Sequence, residues 1–201
     1  MIKSAKEDSQ IGYLHSIYKA NEVGFVPYNL STLLRWELVF RLMASSSIPQ
    51  DEKDRILESL KAEDNSDVKN TWIRKIEALL LRGEERVSFF KTLLDPGMKM
   101  SYYELSDHLT GLSSSLCPEE ELSSLIPSFI CALPMIMNEM TVSQIKMFVY
   151  YFSPNVNDVD AFEKGIAEAE GKVLEKNTFG KKKINQLWDE VKLVCASRKV
   201  E

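Results

Sequence analysis

The chain has 201 residues, 44% hydrophobic and 27% charged, with a net charge of −5. Folding a chain of this length removes roughly 70% of its extended surface from water, and the composition is too apolar for a disordered protein. The acidic balance argues against a nucleic-acid partner, which needs a concentrated surplus of Lys and Arg, and three cysteines, Cys117, Cys131 and Cys195, do not make a disulfide framework but suit a reducing, cytoplasmic setting.

Met1 to Gln10 is charged and polar, without the apolar stretch of about 7 to 15 residues that a secretory signal needs. Downstream, apolar residues recur at spacings of three and four and never alternate with polar ones over a sustained run, so the expected class is all-α. Leu33 to Met43 reads as a helix with Leu34, Leu38, Phe40 and Leu42 in a row, Trp36 and Val39 beside it, and Ser31 or Asn29 as cap. Ser47, with Pro49 in the first turn, announces a helix carrying Ile56, Leu57 and Leu60, which ends in the polar stretch from Glu63 to Asp67. Trp72, Ile73, Ile76, Leu79 and Leu80 define the next helix, which stops near Gly83, a residue suited to the left-handed conformation.

Phe89, Phe90, Leu93 and Leu94 stripe a short helix that Asp95-Pro96-Gly97 ends; Tyr102, Leu105 and Leu109 mark another. Cys117-Pro118-Glu119-Glu120 opens a segment with acidic residues where they suit the helix dipole, and Pro127 and Pro134 kink or divide it. Its apolar window, Leu122 to Met140, is interrupted by those prolines and by Asn138 and Glu139, which indicates core rather than a membrane span of about 20 residues. Thr141 through Phe152 places Ile145, Phe148, Val149 and Phe152 inward, closed by Ser153-Pro154-Asn155. Asp158 caps a helix with Val159, Phe162, Ile166 and Val173, and a last helix from about Thr178 to Arg198 carries Ile184, Leu187, Trp188, Val191 and Val194 on one face. The lysines from Lys181 to Lys183, with Lys172 and Lys176, lie among glutamates and read as a solvated face.

Roughly ten short helices joined by Ser-, Pro- and Gly-bearing turns, paired over about 35 to 45 residues, describe a single domain over residues 1–201 built as a HEAT- or armadillo-like αα-superhelix.

Catalytic chemistry finds little support in the residues. A catalytic zinc site needs three protein ligands, but His15 and His108 are the two histidines and neither opens an H-E-x-x-H motif. A Ser-His or Cys-His pair is equally short of a base, no G-x-S-x-G elbow is present, and eight scattered glycines make no phosphate cradle. The carboxylate pairs Glu84-Glu85 and Glu119-Glu120-Glu121 fall where helices begin and are stabilising there. Met135, Met137, Met140 and Met147 suit core packing first and an adaptable binding groove second, as do the aromatic residues Phe148, Tyr150, Tyr151 and Phe152.

Four stretches, in order, resemble the C-terminal helical domain of aminopeptidase N-type zinc aminopeptidases, the group that includes the puromycin-sensitive and endoplasmic-reticulum aminopeptidases. They are Leu33-Leu34-Arg35-Trp36; Asp64-Asn65-Ser66-Asp67, where the family often has Asp-Pro-Ser/Thr-Asp; Glu85-Arg86-Val87-Ser88-Phe89-Phe90, which resembles a Lys-x-x-x-Trp helix start with Phe for Trp; and Tyr151-Phe152-Ser153-Pro154, which resembles a Leu-Phe-Pro element. The resemblance covers residues 28–198. It implies a HEAT-like wall that closes over a separate catalytic domain bearing the zinc and its catalytic glutamate, and that helps bind and gate peptide substrates. This chain would then need no cofactor of its own, would not be an enzyme by itself, and would have that catalytic domain and peptides as partners, with neither nucleic acid nor membrane. Arg74, Lys99 and Lys146 are the candidate cations for a peptide carboxylate. A free-standing helical-repeat adaptor that binds a partner's segment in its groove is the alternative.

Overall fold

The computed structural model describes residues 8–22, 30–152 and 159–172, with isolated positions between 178 and 193. Every regular element among the described residues is a helix. They are α1 (Asp8–Glu22), α2 (Thr32–Ala44), α3 (Gln50–Glu63), α4 (Val68–Leu80), α5 (Gly83–Leu93), α6 (Tyr102–Leu112), α7 (Glu119–Ser123), α8 (Ile126–Glu139), α9 (Val142–Phe152) and α10 (Val159–Lys172).

Helix starts follow the local side-chain chemistry. The Leu34 amide donates to Ser31 Oγ at 3.4 Å, which makes Ser31 the cap of α2. Ser101 and Glu104 cap α6 reciprocally: the Glu104 amide donates to Ser101 Oγ and the Ser101 amide to Glu104 Oε2 at 3.2 and 3.0 Å. Thr141 and Gln144 do the same ahead of α9. At α3, Pro49 occupies the cap position rather than the first turn, and Ser47 is bonded to Ser45 instead of capping. Gly83 takes the left-handed φ of +50° that the sequence suggests, but as the first residue of α5. The proline-bearing segment divides at Ser124 and Leu125, with Pro127 in the first turn of α8 and Pro134 inside it.

The helices stack in two layers. α2 lies against α4, α4 along α6, and α6 beside α9, forming one continuous row; α1 and α3 cover α2, α5 covers α6, α8 covers α9, and α10 packs on α8. This is the all-α helical stack expected from the sequence. Two apolar clusters fill it. One gathers Ile11, Leu14, Tyr18, Trp36, Leu38, Leu42, Ile56, Leu60 and Leu79 from the first four helices. The other gathers Ala78, Phe90, Leu105, Leu109, Phe129, Leu133, Phe148, Phe152 and Phe162. They meet on α4, which contributes Leu79 to one and Ala78 to the other, so the change of core falls inside a helix and not at the Asp95-Pro96-Gly97 turn. By length and hydropathy the stretch Glu119–Glu139 would suffice to cross a membrane, yet Leu125, Phe129, Leu133 and Ile136 within it are buried in the second cluster.

Three side chains depart from the expected pattern. Leu34 and Tyr102 are exposed although each is in helical phase with buried residues, Leu38 and Leu42 on α2 and Leu105 and Leu109 on α6; both stand in the first turn of their helix. Phe40 is half-buried and meets Trp72 edge-on with centroids 5.8 Å apart. The expected positions Asp158, Val173, Leu187 and Trp188 lie outside the described residues, as do Ser153-Pro154-Asn155.

Close approach of α4 and α6 depends on Gly111. A Cβ there would lie 2.8 Å from Ala78 Cβ and 2.9 Å from the Leu79 amide nitrogen, and closer still to the Lys75 carbonyl, so a side chain would force the helices apart. Gly12, on α1, has open space around it. Opposite effects are expected: Gly111→Ala should destabilise by about 1–3 kcal/mol through overpacking, whereas Gly12→Ala should stabilise by up to about 1 kcal/mol through helix propensity. Urea unfolding midpoints at constant m check the sign of each.

Arg86 ties the helix ends together from a position with 0% exposure. Its Nε donates to the Glu121 carbonyl at 3.2 Å, Nη1 to the carbonyls of Ala78 and Leu81 at 3.4 Å each, and Nη2 to the Leu112 carbonyl and to Cys117 Sγ. Burial lowers its pKa below the ordinary value, but a guanidinium remains charged, and the carbonyls at the ends of α4 and α6 supply the negative dipole ends it needs. Burial also pushes the Cys117 thiol up, against the opposing pull of Arg86. Arg86→Lys keeps the charge and loses the fork, so it should cost about 3 kcal/mol for carbonyls left without donors; loss of less than about 1 kcal/mol in chemical denaturation would contradict this role.

Candidate functional site

On α9 the side opposite Ile145, Phe148 and Phe152 faces solvent and carries Lys146 and Tyr150, whereas α6 is exposed only at Tyr102 and Tyr103 in its first turn. Tyr103 is 76% and Tyr150 73% exposed, with Tyr102 and Val142 also exposed. Tyr102 and Tyr103 stand edge-to-face at 5.7 Å, and Tyr150 and Tyr151 at 5.1 Å. Exposed tyrosines give large rigid contact area with a polar tip, the combination used to hold a peptide.

A hydroxyl network fixes the seam between the two helices. Thr110 Oγ1 donates to the Ser106 carbonyl at 2.7 Å. That leaves Thr110 as acceptor for the Tyr151 hydroxyl 3.0 Å away, and Ser106 as the donor to Tyr151 at 3.1 Å. Tyr151 is thereby held level with the middle of α6 while Tyr150 points outward.

The three candidate cations have different surroundings. Lys99, in the segment leading to Ser101, and Lys146, in the second turn of α9, are exposed. Arg74 is engaged in helix packing: its Nε and Nη2 donate to Asp107 Oδ2 at 3.0 and 2.7 Å, and Lys75 Nζ lies 3.7 Å from Asp107 Oδ1. Asp107 is buried, so this pair serves to join α4 to α6. Lys75 also stands 4.7 Å above the Trp72 ring. Lys99 precedes Tyr102 and Tyr103 in the chain and Lys146 lies one turn before Tyr150 on α9, whereas Arg74 does not act as a free cation.

The histidines are occupied separately. His15 Nε2 is 3.0 Å from Glu52 Oε1 between α1 and α3; hydrogen bonds from Arg55 first, then His15 and Lys19, hold the Glu52 carboxyl down at about 2. His108 meets Phe89 edge-on at 5.1 Å, with a buried Nδ1 that has no partner among the described residues. Burial, then Arg74, lowers its pKa. The acidic run is structural at Glu121, whose carboxylate accepts from the Gly83 amide at 3.2 Å. Met137, Met140 and Met147 are core, and Met135 alone of the four reaches a surface hollow.

Sequence reasoning read Tyr102 as an inward residue and did not single out Tyr103. Tyr103 falls out of phase with Leu105, Leu109 and Leu112, which was the signal for its exposure, whereas Tyr102 is in phase with them and is exposed in the first turn. Comparison with protein-family models, with curated proteins and with solved structures found no match to this chain.

Tyr151→Phe removes the hydroxyl shared by Ser106 and Thr110 and should cost about 1 kcal/mol, measured by urea unfolding; the double variant with Thr110→Val should cost less than the sum of the two single changes, because both delete the same bond.

Proposed function

We propose that this chain is a non-catalytic C-terminal domain of a zinc aminopeptidase, a helical wall that closes over the catalytic domain and helps bind and gate peptides. The observation that carries the reading is the exposed tyrosine face of α6 and α9 with Lys99 and Lys146 beside it. Such a face offers aromatic surface for a peptide's side chains and positive charge for its carboxylate. The zinc and its general base belong to the partner domain, where they supply the hydrolytic chemistry.

The resemblance gains support from the way two of its segments join. Trp36 Nε1 donates to Asp64 Oδ2 at 2.7 Å, and Arg35 Nη2 to Glu63 Oε2 at 2.6 Å. Burial alone would raise the Asp64 carboxyl, but the hydrogen bonds from Trp36 and Ser66 outweigh it and hold its pKa below the usual value. The Leu-Arg-Trp helix and the acidic stretch are thus two halves of one structural unit. Free thiols at Cys117 and Cys131 suit the cytoplasmic setting of this reading.

The purified chain is expected to bind less than stoichiometric zinc by atomic emission, to leave aminoacyl amides intact, and to bind a peptide with a free C-terminal carboxylate more tightly than its amide. Lys99→Glu together with Lys146→Glu should weaken that binding about threefold to fivefold, in line with exposed ion pairs. Zinc-dependent turnover, or equal binding of acid and amide by both forms, would defeat the proposal.

A further inference from the structure

The two layers are not equally closed. α6 and α9 lie side by side, whereas α5 and α8, which cover them, do not close on one another along their length. Between them runs a trough of two hollows that meet at Lys91. One, of about 540 Å³, is lined by Leu94, Pro96, Pro127, Cys131, Ala132 and Met135. The other, of about 560 Å³, is lined by Gly83, Val87, Ser88 and Ser124. Both volumes lie in the range of ligand pockets.

The charges at the rim have an order. Glu84, Lys91 and Asp95 follow one another along the trough, all exposed, and Lys91 makes no ion pair among the described residues. Asp95 Oδ1 accepts from the Gly97 amide at 2.8 Å. A complementary ligand therefore reads basic, acidic, basic.

Length and pleat add to that order. The 11 residues of α5 run about 16 Å at 1.5 Å per residue, which an extended chain covers in about five residues. Alternate side chains of an extended chain point to opposite sides, so the first, third and fifth meet the charged rim while the second and fourth descend into the two hollows.

We propose that the trough between α5 and α8 is a docking site for an extended peptide segment of the pattern basic, apolar, acidic, apolar, basic, with the central carboxylate on Lys91. Met135, unbranched and adaptable, lets the hollow it lines accept different apolar residues. The site lies on the layer opposite the tyrosine face and stands independently of the aminopeptidase reading.

The probe is an acetylated, amidated pentapeptide of lysine, leucine, aspartate, leucine and lysine, compared with one of glutamate, leucine, lysine, leucine and glutamate, titrated at millimolar concentration by NMR. The first should bind about fivefold more tightly than the second, and Lys91→Glu, which makes the central contact repulsive for the first peptide and attractive for the second, should narrow the preference to less than about twofold. Met135→Lys should weaken both peptides, and thermal unfolding of each variant establishes that it is folded. Equal binding of the two peptides, a preference undiminished by Lys91→Glu, or self-association of the chain through the trough with no peptide binding would overturn the proposal. Because both peptides are amidated, these results are separate from the carboxylate test of Lys99 and Lys146.

Discussion

The buried guanidinium of Arg86 is the constraint on which the arrangement of the helices depends. It reaches carbonyls at the ends of α4 and α6, the Glu121 carbonyl of α7 and the Cys117 sulfur at once. Desolvating a cation is costly, and it is tolerated only where hydrogen bonds use nearly all of its donors. Here the donors go to carbonyls that their own helices leave unsatisfied, so one side chain meets two requirements together. A lysine, with a point charge and no planar fork, could not reach groups spread over so many elements. The same residue holds α5 at the distance from α7 that leaves the trough its entrance near Gly83 and Ser124.

The rigid centre thus formed is the α4–α6 pair. Gly111 allows the backbones to meet, and Arg74, Lys75 and Asp107 cross between them. The pair is also where the two apolar clusters join, so displacement of α6 would disturb both. Along the row beyond α6, Tyr151 docks α9 through Ser106 and Thr110, with the exposed Tyr150 ring edge-on against it. What the proposed peptide face requires is therefore supplied by packing residues that no peptide needs to touch.

The helices were legible because their apolar spacing is local, and Ser101 with Glu104 announces α6 by a pattern of four residues. α1 was missed although Ile11, Leu14 and Tyr18 fall at helical spacing, because the charged opening of the chain was read only for a signal sequence. The pairing of Arg74 with Asp107, 33 residues away, was invisible, since nothing near Arg74 in sequence indicates which helix lies against it. Lys99 and Lys146 could be recognised as cations but not as neighbours of a tyrosine face, which depends on α6 meeting α9. The trough was hidden for the same reason: its walls, α5 and α8, are separated in the chain by both α6 and α7. Local pattern locates elements, and function here lies in relations between elements.

That distinction also bears on what the resembling segments can support. Trp36 is fully buried and Asp64 nearly so, and their hydrogen bond joins α2 to the turn after α3. The Asp64 carboxylate also accepts from the Ser66 amide at 2.8 Å, which forms the turn itself and leaves no requirement for proline at Asn65. These residues specify how the first helices are joined, and none of them faces a ligand. Two surfaces on opposite layers carry the functional argument instead: a tyrosine face bordered by lysines, and a trough whose rim alternates in charge. Under the two proposals, a single wall of helices would hold a peptide at one of these surfaces and a partner segment at the other.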